Sequence, residues 1–195
     1  MLKKNKLVVG THNKGKFREL CYLLPKNLKK ISPLDLKIKA PKETSKTFKG
    51  NSILKAKYFF KRTRLACISD DSGLEVVALK NKPGIYSARW AKKLGSFKLA
   101  MKKILNLLKA KKSRNAYFVC SLTLINEKGK IFNSTYRLQG KISHKILGKN
   151  GFGYDSIFIP KGYKKTFGQT TKKKKMKMDH RFYAFKNLRK HPSIF

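Results

Sequence analysis

Nine carboxylates stand against 49 lysines and arginines in this 195-residue chain, so each retained acid carries information. They are Glu19, Asp35, Glu43, Asp70, Asp71, Glu75, Glu127, Asp155 and Asp179. Binding a hard cation or accepting a proton from water needs acids placed close together, and Asp70-Asp71 is the one adjacent pair. It opens Asp70-Asp71-Ser72-Gly73, directly after the short apolar run 66–69. The end of such a strand is where open α/β sheets place ligand chemistry. Taken alone, the same four residues also fit a turn. Asp35, after Pro33, and Glu127, before Gly129, have ordinary turn explanations.

A second segment with chemical potential is Thr11-His12-Asn13-Lys14-Gly15-Lys16, which follows the apolar run 6–10 and precedes Phe17, Leu20 and Leu24 at helical spacing. A strand that turns through small polar residues into a helix aims N–H groups and the helix dipole at an anion. The same spacing also fits a plain connection capped by Thr11 or Asn13. Four scattered histidines and three unpaired cysteines match no zinc spacing, so oxygen ligands favour Mg²⁺, with Mn²⁺ as the alternative.

Elements that would position these residues are legible along the chain. Residues 47–63 carry Phe48, Ser52, Ala56, Phe59 and Phe60 on one helical face, with Glu43 ahead of it and Lys55 within it. Strand character resumes over 74–79. After Pro83-Gly84 and the segment 85–91, Phe97, Met101, Ile104 and Leu108 give a core-facing helix. Residues 116–126 and 130–140 bracket Glu127-Lys128-Gly129 as an antiparallel hairpin. Gly151-Phe152-Gly153-Tyr154-Asp155 leads into a strand at 157–159, and a last helix turns Phe182, Phe185 and Leu188 inward. The lysine run 172–175 cannot converge on one ligand, so most of it is solvated. No repeat or long linker divides the chain, which reads as a single domain over 1–195.

The net charge of +40 raises nucleic-acid binding. The 41 lysines are spread rather than clustered and only eight residues are Arg, the better bidentate reader of bases. The sequence therefore predicts no nucleic-acid partner despite the charge. Cys21, Cys67 and Cys120 sit apart in apolar runs, which fits a reducing, cytoplasmic setting. The longest mostly apolar stretch, 117–125, is too short to cross a membrane as a helix.

Taken in order, Thr11 to Lys16, the segment from Glu43 to Lys55, Asp70-Asp71-Ser72-Gly73-Leu74-Glu75, Pro83-Gly84-Ile85-Tyr86-Ser87-Ala88-Arg89, Gly151 to Asp155 and His180-Arg181 resemble the inosine/xanthosine triphosphate pyrophosphatase family across nearly the whole chain. The resemblance implies an elongated α/β fold with a long mixed β-sheet and flanking helices, two lobes around a nucleotide cleft, and a homodimer. It implies Mg-dependent hydrolysis of noncanonical purine nucleoside triphosphates to monophosphate and pyrophosphate. By similarity, Thr11, His12, Asn13, Lys14, Gly15, Lys16, Lys55 and Ser72 would meet the triphosphate. Glu43 and Asp71 would bind the metal, with Asp71 the proton acceptor. Phe152, Gly153, Tyr154, Asp155, Lys175, His180 and Arg181 would bind the base. Six positions in four segments depart from the family pattern: Gly50-Asn51-Ser52 replaces Glu-Asn-Ala, Gly168-Gln169 replaces Ala-Glu, Ser156 replaces a proline and Asp179 a serine.

Overall fold

Strand β1, Lys6–Val9, is short and apolar because it pairs in parallel on both sides, with β2 (Lys29–Ile31) and β3 (Cys67–Val76). Leu7, Val8 and Val9 are all fully buried, as a strand covered on both faces requires. The computed structural model of the chain describes residues 6–191. Further on come β4 (Lys82–Pro83), β5 (Asn115–Ile125), β6 (Ile131–Ile142) and β7 (Phe158–Pro160). They complete a mixed seven-stranded sheet ordered β2-β1-β3-β5-β6-β7, with β4 antiparallel to β3. The helices are α1 (Lys14–Leu23), α2 (Phe48–Thr63), α3 (Ser87–Lys93), α4 (Phe97–Leu107), α5 (Lys172–Lys175) and α6 (His180–Leu188).

Two compact units share this chain. One holds the chain up to Asp71, then Cys120–Tyr136, then Arg181 onward; the other holds Ser72–Val119 and Arg137–His180. Strands β3, β5 and β6 each pass through both. Each unit has its own core. In the first, Leu7, Val9, Leu20, Ile68, Leu122 and Leu188 pack together. In the second, Leu74, Met101, Ile104, Phe118, Phe158 and Phe167 do so.

Local chemistry explains the helix ends. Asn13 caps α1 by accepting from the Gly15 and Lys16 N–H groups, and Thr47 caps α2 by accepting from Gly50. Arg64 ends α2 in the left-handed region, φ 55°. Gly10, just past β1, has no room for a side chain: a Cβ there would lie 2.1 Å from Ser69 Oγ.

Several elements differ from the sequence reading. Asp70 to Gly73 does not turn; β3 runs unbroken from Cys67 to Val76 and passes into a single 3₁₀ turn at Val77–Leu79. The acids that suggested a turn are held by cations on other elements, so they do not compete for local N–H groups. The three-residue β2 and the helix α3 carry too little periodicity to be read in advance. Phe182 is only half-buried, while Phe185 and Leu188 are buried. Asn126 and Lys130 close the turn between β5 and β6 as expected.

Among the described residues no helix is long and apolar enough to cross a membrane, and none of the three cysteines is in a disulfide. Burial pushes the Cys67 thiol up to about 12, with weaker opposition from Ser69 and Gly10. Cys120 is fully buried and Cys21 half-buried, its thiol also raised, chiefly by burial. Since the thiolate is the nucleophile, iodoacetamide at pH 8 is expected to leave Cys67 and Cys120 unmodified and to label Cys21 slowly. Mass spectrometry of native against denatured protein checks this.

Candidate active site

Successive strand residues face opposite ways, and Asp70 and Asp71 accordingly have different partners. Asp70 is fully buried; its Oδ2 forms an ion pair with Lys16 Nζ at 3.2 Å and accepts from Arg181 Nη2 at 3.0 Å. The other arm of the Arg181 guanidinium is paired with Glu19. Lys16 and Glu19 come from successive turns of α1 and Arg181 from the start of α6, so this cluster ties two helices to β3. Burial alone would raise the Asp70 pKa, but Lys16, Arg181 and Lys55 outweigh it and hold the carboxyl well below the usual range.

Asp71 faces α2. Its Oδ1 lies 3.5 Å from Lys55 Nζ, which also donates to Glu43 Oε1 at 2.6 Å. Its Oδ2 accepts from Asn51 Nδ2 at 3.1 Å. Burial raises the Asp71 pKa, and the opposing pull of Lys55 and Lys16 does not fully offset it. Lys55 shows the converse: burial pulls it down, yet Asp71, Asp70 and Glu43 prevail and keep it charged. Two carboxylates from separate segments thus converge on one cationic point. Among the described residues no group of three or more His, Cys, Asp or Glu could hold a metal. Mg²⁺ commonly takes one or two carboxylates and fills its octahedron with waters and phosphate oxygens, so the Glu43–Asp71 pair fits a metal that completes its shell in this way.

The first loop lines a cavity of about 300 Å³ with Thr11, His12, Asn13, Lys14, Phe17 and Arg18. The Gly15 and Lys16 N–H groups, which the sequence leaves open to an anion, bond Asn13 Oδ1 at 2.9 and 3.0 Å. Thr11 Oγ1 accepts the Asn13 N–H at 3.2 Å, and His12 Nε2 lies 2.9 Å from the Ile38 carbonyl. Gly15 is buried inside the first turn, and the Lys14 side chain is exposed.

The remaining site residues from the sequence gather within the second unit, except Arg181. Asp155 Oδ2 accepts from Lys175 Nζ at 2.7 Å and from the Phe152 N–H at 2.8 Å. Lys175 is the one buried member of the lysine run, and its ammonium sits 4.7 Å from the Phe152 ring centroid. Phe152 itself is half-exposed, as is Gly153. His180 stacks on Phe118 at 4.8 Å, and the buried Tyr154 hydroxyl donates to the Ser87 carbonyl at 2.9 Å. Ser72 is half-buried on β3. Arg181 belongs to the first unit, in the Asp70 cluster. Sequence reasoning gave no role to Glu19 or Asn51, and singled out Asp70 only as half of the Asp70-Asp71 pair. The retention of Glu19 and Asp70 in so basic a chain was the available signal, and Asn51 offered none.

Two departures have local explanations. A Cβ on Gly50 would lie 2.0 Å from Ser45 Oγ, so a residue with a side chain there would displace the Ser45–Thr47 turn. A Cβ on Gly168 would lie 2.5 Å from the Leu147 carbonyl oxygen. Gln169 Oε1 accepts the Thr166 N–H at 3.1 Å, a cap that glutamate could also make.

Fold and site define a mixed-sheet α/β protein with a cavity at the strand-to-helix loop and two buried carboxylate–cation clusters. The chain belongs to the Ham1 family, whose model matches residues 7–191. It is 40% identical to a dITP/XTP pyrophosphatase of Caulobacter vibrioides, over 94% of this chain and 96% of that one. It is 38% identical to the enzyme of the same name from Zymomonas mobilis, over 96% and 91%. Among solved structures it resembles the Ham1 protein of Staphylococcus aureus with a TM-score of 0.83 and 34% identity, over 94% of this chain and 95% of that one. A HAM1 protein from Coxiella burnetii gives 0.84 at 32% identity, with the same coverage.

Removing one member of a buried ion cluster strands its partners. Asp70→Asn is expected to destabilise the protein by about 3–5 kcal/mol, read from urea unfolding near pH 7. Because the Asp70 pKa is depressed on folding, its stabilisation is full above about pH 4 and fades as pH falls further. The gap between wild type and variant should therefore narrow in acid.

Proposed function

We propose that the chain hydrolyses noncanonical purine nucleoside triphosphates, ITP, dITP and XTP, to the monophosphate and pyrophosphate. The observation that carries this reading is the convergence of Glu43 and Asp71 on one buried ammonium, within a chain whose relatives are named dITP/XTP pyrophosphatases. Water attacks the α-phosphorus, and the bond from that phosphorus to the bridging oxygen of the β-phosphate breaks. Asp71 takes the water's proton, a role suited to a carboxylate whose affinity for protons burial has raised. Lys16, Lys55 and Asn13 meet the triphosphate, and the residues of the first loop around them, Thr11 to Gly15, shape its entry. Ser72 contacts the phosphates from β3. A Mg²⁺ held by Glu43 and Asp71 would neutralise charge on the phosphate oxygens.

In the base subsite Phe152 stacks on the purine, while Asp155, Lys175 and His180 supply polar contacts that favour a 6-oxo base; Arg181, enclosed with Asp70 and Glu19, acts from the first unit as an anchor. A site built around such hydrogen bonds rejects bases that leave its groups unpaired. We further propose a cytoplasmic homodimer that folds as one two-lobed domain.

A second reading, a basic nucleic-acid-binding protein, draws on a concavity of about 750 Å³ in the second unit lined by Lys102, Lys109, Lys111, Lys112, Arg114 and Lys145. It leaves the retention of Glu43 and Asp71 without a purpose. A related pyrophosphatase activity on other modified nucleotides differs only in substrate and is separated by competition.

The test is pyrophosphate release with Mg²⁺ from ITP, XTP and dITP against ATP and GTP. Selective release with monophosphate as co-product is expected; inertness toward all five with Mg²⁺ or Mn²⁺ would sink the proposal. Asp71→Asn should lower kcat by about 10²-fold or more, and Phe152→Ala should act mainly on KM. Turnover should fall in acid once pH drops below the raised pKa of Asp71, because the protonated form cannot accept the proton.

A further inference from the structure

Asn51 is fully buried on α2, one turn before Lys55. Its carboxamide joins two segments. Nδ2 donates to Asp71 Oδ2 at 3.1 Å, and Oδ1 accepts the Ser45 backbone N–H at 2.9 Å. The orientation follows from chemistry: a backbone N–H needs an acceptor, so the amide oxygen faces Ser45 and the amino group faces the carboxylate. Ser45 lies two residues beyond Glu43. One side chain therefore holds both Asp71 and the segment that carries its partner carboxylate.

Gly50 completes the arrangement. Because a Cβ there would meet Ser45 Oγ at 2.0 Å, its absence lets the Ser45 turn lie against the first turn of α2, within reach of Asn51. The glycine that replaces the family's glutamate is thus part of how the Glu43 segment is seated.

We propose that Asn51 is a positioning residue: it sets the separation and orientation of the Glu43–Asp71 pair and so presents Asp71 Oδ1 toward the cation the two share. The inference rests on the roles proposed above for those carboxylates. A neutral donor suits the task, since a carboxylate at position 51 would add a like charge and an apolar side chain would hold neither partner.

The test is a double-mutant cycle of Asn51→Ala with Asp71→Asn. It reads kcat and KM for dITP, together with Mn²⁺ binding to the nucleotide-free protein by electron paramagnetic resonance. Asn51→Ala is expected to lower kcat and weaken Mn²⁺ binding by about tenfold each, with KM changed by less than about threefold. In the Asp71→Asn background the same change should cost less than about twofold in kcat, because the residue it acts through is already altered. An equal loss in both backgrounds would mark Asn51 as merely structural and overturn the proposal, as would unchanged kcat and Mn²⁺ binding. If Asn51→Ala does not fold, Asn51→Asp keeps the acceptor for Ser45; it is expected to lower kcat by about tenfold, and wild-type turnover would count against the clamp. Should Asp71→Asn alone leave turnover intact, the catalytic reading fails, and the Mn²⁺ measurement on Asn51→Ala still decides the role of Asn51.

Discussion

Two adjacent carboxylates in the interior of a strand are costly to bury, and the first unit is arranged around that cost. An ionised acid stays charged in such a place only when cations and donors surround it. Asp70 draws Lys16 from α1 and Arg181 from α6; Asp71 draws Lys55 and Asn51 from α2. Strand alternation separates the two sets. Asp70, held deprotonated, anchors helices, while Asp71, less strongly opposed, keeps a higher proton affinity. Neighbouring residues of one type thus come to behave differently through their surroundings alone.

A buried hydroxyl layer supports α2 from below. Ser52 Oγ lies 2.8 Å from Thr123 Oγ1 and 3.1 Å from Ser121 Oγ, and Asn133 Nδ2 reaches both of those partners. Where the family pattern has alanine at position 52, this chain has a side chain that needs partners, and β5 and β6 provide them. The helix that carries Asn51 and Lys55 is fixed there by directional bonds as well as by apolar contact, which makes the network sensitive to partial loss.

Much of this was legible in the sequence. Strand β1, helices α1, α2 and α4, and the β5–β6 pair follow from periodicity and turn residues, because each buries one regular face. The scarcity of acids pointed to Asp71 and Glu43. The continuity of β3 through Asp-Asp-Ser-Gly was not legible, since local propensity favours a turn and only distant cations reverse it. Nor was the position of Arg181 beside Asp70 and Glu19, which depends on a contact between residues 111 and 162 positions apart. Asn51 carried no compositional signal, since a buried amide is recognised only by what lies on either side of it.

Of the nine acids, Asp35 alone is exposed; five are buried and three half-buried. The solvent-facing exterior is therefore almost purely cationic. Such a field draws polyanions in from a distance and raises encounter rates, but it does so by charge and is blind to the base. On the proposed reaction, the abundant ordinary triphosphates would reach the site as readily as rare ones. Discrimination must then arise after arrival, in which visitors are retained long enough to react, and adding salt should slow every nucleotide's approach alike while leaving the ranking among them intact.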